Sequence, residues 1–183
     1  SGEKEFGIHT TGADELKKLH QKGIDITHAT IYMPASYDIL EDIFNHLDNK
    51  SIQHFIDIGC GKGRVLCVAA FHGIKKVSGI DFSKEFCDEA RANLGKVQQK
   101  LPLLQYTIKN NDAFYYDIPS DADCIFLFNP FDETIMSGVI ENIEISLKIN
   151  PREITLIYLN PLYKELFTNI GFKQIYHTKK LKY

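Results

Sequence analysis

The stretch His54–Ala69, HFIDIGCGKGRVLCVA, constrains the fold of this chain more than any other. A short apolar run ends at Ile58, three glycines follow at alternate positions (Gly59, Gly61 and Gly63), and an apolar segment of helical pattern comes next. Glycine permits positive φ and lets a ligand approach the backbone closely. A strand, a glycine turn and a helix in this order are typical of folds that hold a nucleotide-like cofactor. We therefore expect a cofactor site in this stretch.

Apolar runs of strand length alternate with helical patterns along most of the chain. The predicted strands are His54–Ile58, Lys76–Ile80, Leu104–Ile108, Asp123–Phe128 and Ile154–Leu159, and the predicted helices are Ser36–Leu47, Gly63–Phe71, Lys84–Val97, Glu133–Leu147 and Leu162–Ile170. The final stretch from Gly171 to Tyr183 predicts a further strand or a hairpin. Apolar strands that alternate with helices indicate a parallel sheet covered on both faces. The predicted fold class is therefore α/β, a doubly wound, mostly parallel sheet of six to seven strands with helices on both faces.

Two regions are expected along the chain. Residues 1–35, with a polar helical pattern at Asp14–Lys22, predict an N-terminal helical extension or lid. Residues 36–183 predict the cofactor-binding domain itself. The chain begins with Ser1 and Gly2 instead of Met, so its first residues need not be the natural start.

Composition excludes several classes of protein. A hydrophobic content of 44% supplies a core, and a net charge of −3 gives no broad attraction to nucleic acid. The four cysteines form no C-x-x-C pair and predict buried free thiols in a reducing, cytoplasmic compartment, with no metal site. No apolar run approaches the length of a membrane span, about 20 residues. The oligomeric state is left open.

Three kinds of cofactor compete for the glycine turn. A nucleoside-triphosphate loop requires G-x-x-x-x-G-K-[ST], but here Lys62 is followed by Gly63 and Arg64. A dinucleotide fingerprint, G-x-G-x-x-G, is matched by Gly59 and Gly61, but its last position holds Arg64. The third cofactor, S-adenosylmethionine, has no phosphate to place at a helix N-terminus.

The segment FIDIGCGKG resembles motif I of the class I, Rossmann-like S-adenosylmethionine-dependent methyltransferases, with an acidic residue two positions before the first glycine. That residue is Asp57, and a carboxylate there suits a cofactor that carries an amino cation and a sulfonium. The resemblance extends from about Ser36 to Phe172. It implies that S-adenosylmethionine is the cofactor and that motif I binds it through Asp57, Gly59, Cys60, Gly61 and Gly63.

Later segments agree with this resemblance. Asp81 ends the second strand, where its two oxygens can accept both ribose hydroxyls, although dinucleotide enzymes use the same device. Phe82 is placed to lie against the adenine ring. The resemblance makes Asp112 an acceptor for the adenine amine, with Ala113 close to the ring. A turn or a helix cap is an equally good interpretation of Asp112 from the sequence alone.

The fourth strand ends in FLFNPFD, which resembles the N-P-P-Y motif of methyltransferases that act on planar amines or amides. The resemblance implies that Asn129 and Pro130 orient the acceptor, that Phe131 stacks on it, and that Asn129 also lies at the cofactor. One proline of the motif is missing, so specificity for adenine or glutamine does not carry over. A turn that ends the strand is the alternative interpretation.

The function expected from these features is direct transfer of a methyl group from S-adenosylmethionine. The acceptor is an unidentified protein side chain or small molecule, favoured over nucleic acid, and a nitrogen atom is weakly favoured. Two other functions stay open: a non-catalytic module that binds S-adenosylmethionine as a partner subunit, and, less favoured, a NAD-dependent oxidoreductase.

Overall fold

The computed structural model describes residues 3–4, 7–8, 10, 34–128 and 131–176, and its core is a five-stranded parallel sheet in the order β3-β2-β1-β4-β5. The strands are β1 (Phe55–Ile58), β2 (Lys76–Asp81), β3 (Gln105–Asn110), β4 (Cys124–Phe128) and β5 (Thr155–Leu159). The helices are α1 (Tyr37–Asn45), α2 (Arg64–Phe71), α3 (Lys84–Lys100), α4 (Glu133–Ile149) and α5 (Lys164–Asn169), with a short 3-10 helix at Ala113–Tyr115.

Side chains that alternate along the strands build a hydrophobic layer on each face of the sheet. Phe55 and Phe126 are buried in one layer, which also contains the apolar faces of α1, α2 and α3. Ile56 and Ile58 are buried in the other layer, with Met136 of α4 and the apolar face of α5. Two covered faces explain why β1, β4 and β5 read as almost continuous apolar runs, whereas the edge strand β3 is largely exposed. The α/β, doubly wound prediction is confirmed.

The five inner strands and the five helices predicted for residues 36–170 are all present, and their ends differ from the prediction by no more than three residues. The three longest predicted helices begin at residues that cap them. The Ser36 and Ser83 side chains accept from the backbone N–H three residues later, and Asp132 does the same for α4. Such caps satisfy N–H groups that have no partner within the helix.

The number of strands differs from the six to seven predicted, since the part of the chain described here contains five. Residues 171–176 form no strand, and the strand predicted there is wrong. Phe172 packs edge-on against Phe167 of α5, whereas the Tyr176 ring lies 4.7 Å from that of His46, at the end of α1. The segment therefore passes from one face of the sheet to the other, and does not run beside β5. Residues 177–183 and the helix predicted at Asp14–Lys22 lie outside the described residues.

All four cysteines are buried and free, as predicted for Cys60, Cys67, Cys87 and Cys124. Among the helices of the described ranges, none combines the length and the apolar character needed to cross a membrane.

A chain of polar side chains fixes the amino-terminal ends of the strands. His54, directly before β1, lies with Nε2 2.7 Å from Ser78 Oγ and Nδ1 2.8 Å from a carboxylate oxygen of Asp121. The other Asp121 oxygen accepts from Lys76 Nζ at 2.6 Å. Burial lowers the pKa of His54, and Asp121 only partly opposes this. Hydrogen bonds from Lys76 and His54 outweigh desolvation at Asp121 and bring its pKa to about 2.

We predict that acidification destabilises the fold through His54. Its pKa is lower in the folded protein than its ordinary value of 6.5, so its contribution is present above that pH and is lost as the pH falls through the folded-state pKa. The free energy of unfolding, measured by chemical denaturation, should decrease from pH 7.5 to 5.5. This decrease should be smaller in His54→Gln, which cannot take up the proton. An equal pH dependence in both proteins would contradict the assignment.

Candidate functional site

The loop that follows β1, here called the glycine loop (Gly59–Gly63), lies across the carboxyl end of β2. The backbone N–H groups of Gly59 and Cys60 both donate to the carbonyl oxygen of Ile80, at 2.8 and 2.9 Å. The three glycines have φ values of 84°, 51° and 84°, in the left-handed region that side chains disfavour. The predicted turn is present, and the three glycines are there because the backbone needs these conformations.

Gly79 of β2 makes room for the glycine loop, and this role was not predicted from the sequence. A Cβ atom at this position would lie 2.7 Å from both Cys60 Sγ and Leu66 Cδ1. Gly63 is also confined, since its Cβ would lie 3.2 Å from that of Ala90 in α3. The loop is therefore held between β2, the first turn of α2 and the second turn of α3. The signal for Gly79 was a glycine inside a predicted strand, which often marks a close approach of backbone.

Asp81 joins the glycine loop to the end of β2. One of its carboxylate oxygens accepts from the Gly61 N–H and the other from the Ser83 N–H, both at 2.9 Å. Asp81 is 8% exposed, and burial raises its pKa although the two hydrogen bonds oppose the rise. Each oxygen keeps a lone pair beyond these bonds. Asp81 can thus shape the loop and still accept from a ligand.

Asp57 is the most unusual group of the site. It stands opposite Gly79 in the β1–β2 pairing and is 3% exposed. Within the described ranges no hydrogen-bond donor reaches its carboxylate. Burial raises the pKa of Asp57 well above its ordinary value, and the nearby charge of Asp81 adds to the effect. A buried carboxylate without a partner is costly, and this cost is removed when a cation or a donor binds beside it.

Side chains of α3 hold the glycine loop from its outer side. The Asn93 side-chain amide donates to the carbonyl oxygen of Lys62 at 3.0 Å. The ammonium of Lys62, itself buried, lies 3.3 Å from a carboxylate oxygen of Glu89. Burial raises the pKa of the Cys60 thiol well above its ordinary value, so this side chain fills space as a neutral group. The loop is therefore a packed and bonded structure.

The ends of β2 and β3 place the residues expected at the adenine. Phe82 is 65% exposed and directly follows Asp81. The Asn110 amide donates to the carbonyl oxygens of both, which joins the two strand ends. Asp112 caps the 3-10 helix by accepting from the Phe114 N–H at 2.9 Å, and Ala113 is buried. The cap interpretation of Asp112 is thus observed, while its contact with adenine stays a prediction.

The acceptor side of the site is only partly described. Asn129 and Pro130 lie outside the described residues, so their predicted orienting roles stay predictions. Phe131 is half-buried and packs on the layer that contains α4. Asn160 was missed by the sequence analysis. It follows β5 as Asn129 follows β4, it too precedes a proline, and its φ is 46°. The repeated Asn-Pro pair was the available signal.

Among the residues that the structure describes, no group of three or more His, Cys, Asp or Glu side chains is arranged to hold a metal ion. At this edge of the sheet the described residues form a glycine cradle with two buried carboxylates, Asp57 and Asp81, and the exposed ring of Phe82.

Comparison with protein families matches residues 55–148 to a family described as a methyltransferase domain. The matched range begins at β1 and ends in α4, so it includes the glycine loop, Asp81 and Asp112. A protein of Methanocaldococcus jannaschii described as uncharacterized is 30% identical over 131 residues, which are 70% of this chain. The chain spans 53% of that relative's length.

Solved structures share the fold. A protein of Thiobacillus denitrificans, titled a SAM-dependent methyltransferase in complex with S-adenosyl-L-homocysteine, superposes with a TM-score of 0.55 at 20% identity, over 73% of this chain and 52% of that one. A protein of Thermotoga maritima, titled a SAM-dependent O-methyltransferase, gives a TM-score of 0.55 at 23% identity, over 76% of this chain and 49% of the other.

We predict that Asp57→Asn stabilises the protein in the absence of ligand. Because the folded-state pKa of Asp57 is raised, its stabilising contribution is present below about pH 3.8 and is lost as the pH rises through the folded-state pKa. The neutral amide avoids this loss. At pH 8 the variant should unfold at a higher denaturant concentration than the unmodified protein, and the difference should shrink toward pH 4. A less stable variant at pH 8 would show that Asp57 has a stabilising partner.

Proposed function

The chain belongs to the family of methyltransferase domains, and on that premise we propose that it binds S-adenosylmethionine at the glycine loop and transfers a methyl group to a nitrogen acceptor. The acceptor we propose is a protein side chain or a small molecule. A net charge of −3 supports this choice over nucleic acid.

Asp57 is the observation that carries the proposal. The cofactor has an ammonium group and a sulfonium, and a cation beside the Asp57 carboxylate would offset the cost of burying it. A NAD-type cofactor carries its negative pyrophosphate at the corresponding loop, where the buried Asp57 carboxylate would repel it. Asp81 does not separate the two cofactors, because dinucleotide enzymes also place an acidic residue at the ribose. The left-handed glycines supply the space that a side chain would fill. The residues present therefore fit S-adenosylmethionine.

Other residues of the cradle have defined parts in this proposal. Asp81 would accept from the ribose hydroxyls through the lone pairs that remain after its bonds to Gly61 and Ser83. Phe82, exposed beside it, would cover the adenine ring, and Asp112 would accept from the adenine amine through the oxygen that does not cap the 3-10 helix. Gly59, Cys60 and Gly63 would shape the rest of the cradle.

When bound, the sulfonium supplies an electrophilic methyl group, and the chain's task is to align an acceptor nitrogen in line with it. Asn129 would accept from the acceptor N–H and so direct the nitrogen lone pair, with Pro130 fixing the turn. Phe131, half-buried at the start of α4, would stack on a planar acceptor and exclude water. Because this chain has N-P-F where the motif has N-P-P-Y, the proposal is not restricted to adenine or glutamine as the acceptor.

Two other functions are separated from this one by experiment. A non-catalytic module would bind the cofactor and release no S-adenosylhomocysteine with any acceptor of a lysate or substrate panel. The Thermotoga protein is titled an O-methyltransferase, so an oxygen acceptor is the second candidate for the transfer itself.

The four buried free thiols support a reducing, cytoplasmic location.

We predict that Asp81→Ala weakens S-adenosylmethionine binding by about 10- to 100-fold, since a hydrogen bond to a charged group contributes about 1.5–3 kcal/mol. Asp57→Asn should weaken it as well, because the cation loses its countercharge. Isothermal titration calorimetry measures both dissociation constants. Asp88→Ala, which removes an exposed carboxylate of α3, is the control and should bind like the unmodified protein. Unchanged affinity in Asp57→Asn would remove the main support for this cofactor.

We predict that Asn129→Ala lowers the methyl-transfer rate by about 100-fold or more, the scale for loss of one positioned polar group, and changes cofactor affinity much less. The rate per folded molecule is measured with an acceptor found in the panel. Asn160→Ala serves as the comparison at the neighbouring strand end. A variant with normal turnover and reduced thermal stability would show that N-P-F is only a turn.

A further inference from the structure

We propose that Arg64 is a positioning residue for the cofactor site: with Glu3 and Thr10 it holds the glycine loop in the binding conformation. The proposal rests on the function proposed above and extends it to the N-terminal residues, which do not belong to the cradle. Arg64 is the first residue of α2 and directly follows Gly63. Its side chain joins three separate pieces of the chain.

Every nitrogen of the Arg64 guanidinium has an acceptor. Nε donates to Thr10 Oγ1 at 2.7 Å, Nη1 to the carbonyl oxygen of Ala35 at 3.0 Å, and Nη2 to Glu3 Oε1 at 3.0 Å. The Tyr37 ring faces the guanidinium carbon at 4.4 Å from its centroid. These five residues are called the Arg64 cluster below. Residues far apart in sequence thus converge on the one side chain that begins α2.

Glu3 is the charged partner of the cluster. Its Oε1 also accepts from the Thr10 and Tyr37 hydroxyls, at 2.6 and 3.2 Å. Burial alone would raise the pKa of Glu3, but the hydrogen bonds from Thr10 and the charge of Arg64 outweigh it, and the net shift is downward. Glu3 is therefore ionised at neutral pH.

Arg64 needs this partner more than a surface arginine would. It is 7% exposed, so its charge has little access to water. It also stands at the N-terminus of α2, where the helix dipole disfavours a cation. If Glu3 loses its charge, the guanidinium is left buried without compensation and is driven toward solvent.

A displacement of Arg64 would change the glycine loop through the backbone of the adjacent residue, Gly63. The adjacent Gly63 donates to the carbonyl oxygen of Cys60 at 2.9 Å and accepts from the N–H of Cys67 at 3.0 Å. A Cβ atom at Gly63 would lie 3.2 Å from that of Ala90, so the backbone at Gly63 packs closely against α3. A rotated first turn of α2 therefore alters the glycine loop itself. Coupling of this kind is reciprocal, so cofactor binding must in turn stabilise the Arg64 cluster.

Glu3→Gln tests the proposal, because it keeps the size of the side chain and removes its charge. Ile8→Ala is the matched control: Ile8 belongs to the same N-terminal stretch and is buried in the core, but its side chain makes no bond to Arg64. Dissociation constants for S-adenosylmethionine are measured by calorimetry at 15 °C, well below unfolding. We expect Glu3→Gln to raise the dissociation constant by about 10-fold and Ile8→Ala to lower thermal stability with little change in affinity.

Amide hydrogen exchange of the cofactor-free proteins provides a second readout. Glu3→Gln should speed exchange at Gly61, Lys62 and Gly63, and Ile8→Ala should not. Equal affinities and equal loop exchange in the two variants would overturn the positioning role. If the unmodified protein does not bind S-adenosylmethionine, the proposed function fails, while faster loop exchange in Glu3→Gln alone would still support the Arg64 cluster as the device that holds the loop.

Discussion

The site depends on one electrostatic constraint, the Asp57 carboxylate, which is buried near the centre of the sheet and accepts no hydrogen bond from the described residues. Asp57 is 3% exposed, and Asp81 follows its β2 neighbour on the same face of the sheet. Folding alone does not favour this arrangement, since both carboxyl groups have raised pKa values. Two backbone N–H groups donate to Asp81 and offset part of the desolvation cost of its carboxylate. None of the described residues donates to Asp57 in this way. A cation or a hydrogen-bond donor bound beside Asp57 would offset the remaining cost.

The rest of the site follows from keeping this charge at the surface of a narrow cradle. The glycine loop can lie on β2 only because Gly79 has no side chain. The loop backbone adopts positive φ at three positions, 59, 61 and 63, and glycine tolerates this conformation at each of them. Contacts from Asn93 and from the Arg64 cluster then fix the loop from two sides. A rigid cradle loses little conformational entropy when a ligand binds.

Local patterns explain what could be predicted from the sequence. The strands, the helices and the turn at Gly59–Gly63 are encoded by neighbouring residues. The resemblance directed attention to Asp57 and Asp81, whose contacts with the cofactor stay predictions. Long-range contacts could not be read in this way: the Arg64–Glu3 bond spans 61 residues, and the room that Gly79 provides exists only once β1 and β2 are paired. The strand predicted from Gly171 is absent over residues 171–176, where Phe172 and Tyr176 contact helices on opposite faces of the sheet.

The amino ends of the strands contribute mainly to stability, whereas the carboxyl ends hold the candidate site. At the amino ends of the strands, the buried polar groups satisfy one another, as His54 does with Ser78 and Asp121. At the carboxyl ends, Asp57 is buried without such a partner, and its neighbours shape a space around it. A parallel sheet brings all carboxyl ends to one edge, so this cost is concentrated where a ligand can offset it. The fold can tolerate it because the two hydrophobic layers and the His54 contacts stabilise the other end independently.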